Sequence, residues 1–152
     1  MKRYFTYCLA IMISFLFVAC SKKNTNTKPA ASMTATVGGT NFISTTTGAV
    51  QGLIGGVNDL TITGNNGSDL ITLDVWGYNH SAGSFPISAS SSSGTSAASY
   101  NTGSTLATQK DAVYGTVTIT NVSSGGTITG NFNFVASDST HVSNGNFTVT
   151  PL

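Results

Sequence analysis

Asp74, Trp76 and Tyr78 stand at alternate positions in one stretch of the chain, and His80 continues the series. Alternate residues of a β-strand point to the same face, so this spacing predicts that the first three share one face of a sheet. An exposed aromatic ring can stack on a sugar ring while a neighbouring carboxylate accepts hydrogen bonds from its hydroxyl groups. The row therefore predicts a ligand face suited to carbohydrate. The alternatives are that Trp76 packs beneath the serine-rich segment 88–99, or that both faces of the sheet are covered.

Few residues are available for acid–base chemistry, because the chain has only five acidic residues, all Asp, and two His. Asp69 and Asp74 are five positions apart, which places them on opposite faces of one strand and makes them a poor pair for glycoside hydrolysis. The sequence contains 20 Ser but no Gly-x-Ser-x-Gly motif. We therefore expect a protein without enzymatic activity, with a small hydrolase as an alternative. The other candidates are dispersed along the chain: Asp59, Asp111, Asp138, Lys110, His80 and His141.

Metal ligands are equally sparse. His80 and His141 lie 61 residues apart and no Cys follows position 20, so zinc lacks ligands at a familiar spacing. The segment 64–69 carries amide and carboxylate oxygens that could surround Ca²⁺, but its Asn-Gly pair is also the sequence of a tight hairpin turn. One carboxylate is few for calcium, which favours the turn. We therefore expect neither a metal nor a cofactor.

The residues after position 32 show the alternation of half-buried strands. Three rows of apolar residues and Gly alternate with mainly polar residues. No segment has a sustained helical period, and the 24 Thr, 20 Ser, 17 Gly and 13 Asn also disfavour helix. The rows are Ile71, Leu73 and Val75; Val113, Gly115, Val117 and Ile119; and Ile128, Gly130, Phe132, Phe134 and Ala136.

Turn signals separate these rows, at Gly38-Gly39, Asn65-Asn66-Gly67 and 123–126. Asn144-Gly145 falls within an apolar alternation and predicts a β-bulge instead of a turn. The serine-rich segment 88–99 predicts a mobile loop. Together the signals predict an all-β fold, an antiparallel sandwich or barrel of about eight to ten short strands that are mostly meander-connected.

Cys20 follows a positively charged start and an apolar run from Leu9 to Val18. The run has about ten residues, which suits a secretory signal and is too short to span a bilayer. The residues 16–20, LFVAC, resemble the lipobox of bacterial lipoproteins, in which the Cys is acylated before cleavage. We therefore expect three parts: a lipoprotein signal peptide at 1–19, the lipidated Cys20 and a flexible tether at 20–32, and a single all-β domain at 33–152.

Several strand motifs resemble an uncharacterised family of small β-rich lipoproteins common in Bacteroidota. The resemblance covers nearly all of residues 33–152 and concerns strand patterns, so it carries over no catalytic residues. It implies a domain of unknown function on a membrane anchor. The motifs are MTATVGGTNF at 33–42, LTITG at 60–64, GSF at 83–85, GTVTIT at 115–120, ITGNFNF at 128–134 and NGNFTV at 144–149.

Asp138-Ser139-Thr140 is similar to the acceptor motif for general O-glycosylation in Bacteroidota. This similarity makes Ser139 a candidate modification site. The alternative is that the three residues form a turn before the last strand.

Charge is distributed unevenly although the net charge is only +1. The signal segment carries +2, the tether +3, and the domain −4, where Lys110 faces five Asp. So few cations exclude nucleic acid as a partner. Lys22-Lys23 stand where many exported lipoproteins of that phylum carry an acidic signal, which favours the periplasmic side of the outer membrane over the cell surface.

These observations predict a membrane-anchored cell-envelope lipoprotein whose domain is a non-enzymatic interaction or structural module. The expected partner is the lipid bilayer through acylated Cys20, together with a glycan or another envelope protein. The alternatives are a carbohydrate-binding or adhesion module that uses the face of Asp74, Trp76 and Tyr78, and a small envelope hydrolase.

Overall fold

The computed structural model describes residues 30–89, 95–103 and 108–152. These residues form ten strands and almost no helix, and every pair of neighbouring strands is antiparallel. The prediction of an all-β antiparallel fold is confirmed. In chain order the strands are β1 (Ser32–Val37), β2 (Thr40–Ile43), β3 (Thr46–Ile54), β4 (Val57–Asn65), β5 (Asp69–Trp76), β6 (Gly83–Ser88), β7 (Ala97–Thr102), β8 (Gln109–Val122), β9 (Ile128–Ala136) and β10 (His141–Val149).

Nine strands form one curled sheet in the order β2-β1-β10-β9-β8-β7-β5-β4-β3, and β6 pairs with β8 outside this path. Consecutive strands are neighbours in β1–β2, β3–β5 and β7–β10, as a meander predicts. The first strand, however, pairs with the last one. The long strand β8 joins the two halves, because its first residues pair with β7 and the remainder pairs with β6 and β9.

The inner face of β9 shows why these sequences form strands. Ile128, Gly130, Phe132, Phe134 and Ala136 are buried and alternate with more exposed residues, as predicted. Burying one apolar face of each strand while Thr and Asn remain hydrated on the other is the energetic basis of such a sheet.

Three glycines make room for the large aromatic residues of this core. Gly130 lies opposite Phe147, Gly145 opposite Phe132, and Gly115 opposite Phe134. A Cβ atom at any of the three glycines would overlap the facing phenylalanine and a neighbouring backbone. The phenylalanine side chains therefore lie directly over the backbone of the facing strand. We call these residues the Gly–Phe core.

The described sheet contains register shifts at three places, and two of them concern residues whose facing was predicted from the sequence. Asn144 has a φ of 52°, and the register of β10 shifts beside it against both neighbouring strands, which confirms the predicted bulge. A second shift lies between Ala112 and Tyr114 of β8. It buries Ala112 and leaves Val113 42% exposed. The predicted inward row was therefore wrong at Val113, because the extra residue reverses the alternation.

The predicted loop 88–99 is shorter than expected. β6 includes Ser88, β7 begins at Ala97, and the amide of Ser88 donates to the carbonyl of Ser96 at 3.2 Å. The centre of the segment, 90–94, lies outside the described residues.

The predicted signal peptide, Cys20 and most of the tether also lie outside the described residues. Within the described part of the chain, no helix has the length and apolar character needed to cross a membrane.

Candidate functional site

The predicted ligand face is present only in part. Asp74 and Trp76 are partly exposed and alternate with the fully buried Leu73 and Val75. Tyr78 does not continue the exposed row, because it is only 1% exposed. β5 ends at Trp76, and Gly77 follows with a φ of 76°, which interrupts the strand alternation. The expectation that Tyr78 is an exposed aromatic residue of this face was therefore wrong.

Trp76 agrees in part with each of the two hypotheses from the sequence, an exposed ligand face and packing beneath the serine-rich segment. Its backbone amide donates to the hydroxyl of Ser96 at 3.1 Å, so the serine-rich segment does contact this strand. The residue is nevertheless partly exposed. A single aromatic ring beside Asp74 is what is left of the predicted face.

Asp59 on the neighbouring strand β4 adds a second carboxylate to this region. In the antiparallel register Asp59 lies opposite Trp76, and Thr61 lies opposite Asp74. The Thr61 hydroxyl is 2.9 Å from Oδ1 of Asp74 and 3.3 Å from Oδ2 of Asp59. We call Asp59 and Asp74 the carboxylate pair. Asp59 and Asp74 lie on different strands, so the alternation of residues within one strand does not reveal the carboxylate pair.

The two members of the carboxylate pair have different surroundings. Asp59 is 5% exposed, whereas Asp74 is partly exposed. Burial, the negative charge of Asp74 and a hydrogen bond between the two side chains raise the pKa of Asp59 to about 6, against a smaller lowering by Thr61. Thr61 has one proton to donate, so it cannot fully satisfy both carboxylates. The raised pKa favours the protonated form of Asp59 to a higher pH than is usual for an Asp.

Asp59 also lines a cavity of about 270 Å³ beside the β3–β4 hairpin. Two atoms of its lining residues, Oδ1 of Asp59 and the hydroxyl of Tyr78, are buried without a hydrogen-bond partner. Buried polar atoms nearly always have a partner, so two such atoms in residues that line one cavity make it the candidate place for a polar molecule. We call it the Asp59 cavity. The described residues that line it are Gln51, Gly52, Leu53, Asn58, Asp59, Tyr78 and His80.

The segment 77–80 forms one side of the Asp59 cavity. The amide of Gly77 donates to the carbonyl of Asn58 at 2.8 Å, which ties the segment to β4. The rings of Tyr78 and His80 are 5.1 Å apart, and His80 has a φ of 61°. Burial raises the pKa of Tyr78, so its hydroxyl stays neutral and can donate a hydrogen bond.

The cavity lining combines acceptors and donors without a Lys or Arg among the described residues that form it. Asp59 supplies carboxylate oxygens, Tyr78 a hydroxyl, Gln51 and Asn58 amides, and His80 an imidazole. These groups are able to form hydrogen bonds with a small polar molecule, and the carboxylate disfavours an anion.

The segment considered for calcium forms a turn. Oδ1 of Asn66 accepts hydrogen bonds from the amides of Ser68 and Asp69, and Oδ1 of Asn65 accepts one from Gly67. These oxygens therefore stabilise the β4–β5 hairpin. Within the described residues, no group of three or more His, Cys, Asp or Glu is arranged to hold a metal ion.

Ser139 lies at the tip of the β9–β10 turn. It is exposed, has a φ of 68°, and its amide donates to the carbonyl of Ala136 at 2.9 Å. Oδ1 of Asp138 accepts from the amide of Thr140 at 3.0 Å. The turn expected from these residues is present, and the Ser139 hydroxyl is accessible to a modifying enzyme.

The other acid–base candidates do not join the carboxylate pair. Asp69 contacts the hydroxyl of Tyr100 at 3.4 Å, and Asp111 accepts from Gln109 at 2.7 Å. His141 is exposed at the start of β10.

Comparison with known sequences and structures places the chain in a family. Searches of curated proteins and of solved structures gave no match. A family described as a domain of unknown function, DUF6252, matches residues 22–151, which include the tether after Lys22 and all ten strands. The chain therefore belongs to the DUF6252 family.

Proposed function

We propose that this protein is a membrane-anchored cell-envelope lipoprotein whose β domain is a non-enzymatic binding module. The anchor is the acylated Cys20, the tether 20–32 separates the domain from the lipid, and the Asp59 cavity is the binding site. The observation that carries the binding role is the pair of buried polar atoms without partners on one cavity, those of Asp59 and Tyr78. Leaving such atoms unpaired costs about 1–3 kcal/mol each, which a bound ligand recovers.

The anchoring part rests on the sequence around Cys20 and on the basic residues Lys22, Lys23 and Lys28, which suit anionic headgroups. The protein is expected on the periplasmic side of the outer membrane. Metabolic labelling with palmitate, followed by fractionation of wild type and Cys20→Ala, tests this. Label and membrane association should be lost in Cys20→Ala. Equal solubility of the two chains would contradict the anchor.

The binding part is tested by thermal shift with the full-length Cys20→Ala chain. A panel of envelope sugars, peptides and amines is added to this chain and to the same chain carrying Tyr78→Phe. A ligand that raises Tm only when Tyr78 is present supports the proposal. If no compound raises Tm, or if every effect survives Tyr78→Phe, the cavity is not the binding site.

A small envelope hydrolase is a second candidate, and the carboxylate pair is the observation that favours it. The hydroxyl of Thr61 contacts both carboxylates, at 2.9 Å from Asp74 and 3.3 Å from Asp59, and the charge of Asp74 contributes to the raised pKa of Asp59. Two neighbouring carboxylates of unequal acidity fit acid–base activation of a water molecule, as in aspartic proteases. Hydrolysis of a peptide library that is present in wild type and absent in Asp74→Asn would favour the hydrolase.

A further inference from the structure

The Asp59 cavity has chemical features that narrow its ligand, given that it is a binding site as proposed above. Its two unpartnered atoms differ in kind: Oδ1 of Asp59 accepts hydrogen bonds, whereas the Tyr78 hydroxyl both donates and accepts. A ligand that satisfies both must supply a donor for Asp59 and a hydrogen-bond partner for the Tyr78 hydroxyl. Alcohol groups suit both atoms, because each hydroxyl can donate and accept.

The size of the cavity limits the ligand further. Its volume of about 270 Å³ lies just below the usual range for drug-sized ligands. A single sugar ring or a molecule of similar size is therefore appropriate. The amides of Gln51 and Asn58 and the imidazole of His80 provide additional hydrogen-bonding groups for several hydroxyls around one ring.

Charge decides between neutral and acidic sugars. Asp59 lines the cavity, Asp74 lies beside it, and none of the described lining residues is Lys or Arg. A carboxylate or sulfate on the ligand would meet like charge in a partly desolvated place. From these observations we propose that the Asp59 cavity is a subsite for one neutral sugar residue, which Asp59 and Tyr78 bind through its hydroxyl groups and from which acidic sugars are excluded.

The experiment uses the full-length Cys20→Ala chain and the fluorescence of Trp76, which is the only Trp and lies opposite Asp59 in the sheet. Glucose and galactose are titrated beside glucuronate and galacturonate, and ethanolamine serves as a cationic probe. Chemical-shift changes in NMR spectra provide a second readout. The neutral sugars should bind at least about ten-fold more tightly than their acids.

Three variants connect the binding to the cavity. Tyr78→Phe removes one hydroxyl and should weaken neutral-sugar binding about ten-fold. Tyr114→Phe makes the same change at a residue that is 59% exposed and outside the lining, and should leave binding unchanged. Asp59→Asn keeps the shape but removes a charge, so it should reduce the preference for neutral over acidic sugars. Melting curves verify that each variant is folded.

The outcomes separate the two proposals. Neutral sugars that bind, with the expected effects of Tyr78→Phe and Asp59→Asn, support the sugar subsite. Equal or tighter binding of the acidic sugars overturns it. If ethanolamine binds and none of the sugars does, the sugar subsite is overturned and the proposal of a binding module stands. If no probe gives a saturable response up to about 100 mM, the sugar subsite is overturned, and the thermal-shift panel then decides the binding module.

Discussion

The Gly–Phe core and the Asp59 cavity lie in the two halves of the same sheet, yet their buried residues follow different rules. In the Gly–Phe core, the inner residues of β9 are all apolar or Gly, and each large ring faces a strand position without a side chain. At the Asp59 cavity, a carboxylate and a phenol are buried, and each has a polar atom without a partner.

Both halves bury apolar residues, among them Leu60, Ile62 and Leu73 of β4 and β5, and the Asp59 cavity adds buried polar atoms without a partner. Close packing of Phe against Gly contributes to folding and leaves no room for a ligand. The unpartnered atoms of Asp59 and Tyr78 cost stability in the free protein, and a protein retains such a cost mainly at functional sites. Substitutions in the two regions and in β8 test this contrast, and the largest effect is expected in the Gly–Phe core.

Gly130→Ala is expected to give the largest loss of stability, about 3 kcal/mol or more. The new Cβ would overlap the Thr118 carbonyl oxygen and the ring of Phe147, so the strands would have to separate. Chemical denaturation of purified protein measures the change. Gly48→Ala on β3 is the matched control, because its nearest neighbour is the Thr63 hydroxyl at 3.9 Å. A loss of similar size in the control would contradict the packing argument.

Asp59 should make the folded domain less stable as the pH rises. Its folded-state pKa is raised from 3.8 to about 6, so between these values the folded chain holds a proton that the unfolded chain has lost. The contribution of Asp59 to stability should therefore be highest below about pH 4, fall by at most about 3 kcal/mol as the pH approaches 6, and then level off.

Denaturation series between about pH 4.5 and 7 measure this slope. The fall in stability with pH should disappear in Asp59→Asn. It should persist in Asp111→Asn, where the substituted carboxylate is exposed. The window avoids lower pH, where Asp138 acts in the opposite direction because hydrogen bonds from Thr140 lower its pKa. An unchanged slope in Asp59→Asn would show that the carboxylate pair is not its source.

Tyr78→Phe should leave the domain as stable as the wild type or more stable by up to about 1 kcal/mol. The substitution removes a buried hydroxyl that has no partner and keeps the ring. Thermal and chemical denaturation measure the difference. A clear loss of stability would mean that the hydroxyl is satisfied within the folded chain, which would weaken the case for the cavity as a binding site.

Val113→Thr should change stability by less than about 0.5 kcal/mol, because Val113 is largely exposed at the β8 bulge. The same change at Val117, which is 0% exposed, should cost more than about 1 kcal/mol because it buries a hydroxyl. Equal effects at the two positions would indicate that the bulge does not set the inward face of β8.

The strands of the Gly–Phe core could be predicted because local alternation alone defines them. The inner row of β9 and the bulge at Asn144 follow from apolar spacing within one stretch. The bulge at Val113 could not be predicted in this way, because no Gly or Asn marks the added residue. The bulge is visible only as a register shift against β9.

The Asp59 cavity was harder to predict because it depends on two strands and on a residue beyond a strand end. A two-residue Asn66-Gly67 turn would place Thr61 opposite Thr72. The observed register is centred between Gly67 and Ser68 and places Thr61 opposite Asp74, so the turn motif alone does not reveal the carboxylate pair. The burial of Tyr78 could not have been found by counting. It depends on the left-handed Gly77, which interrupts the strand alternation.

The pairing of β1 with β10 has a consequence for the order of folding. Met33 lies opposite Phe147, 114 positions later, so β1 gains this neighbour only when the final strand has been made. Contacts between such distant residues slow folding, because a long loop must close before they contribute any stability. A newly synthesised chain therefore cannot close this part of the sheet until β10 has been made, and until then β1 has β2 as its neighbour but lacks β10.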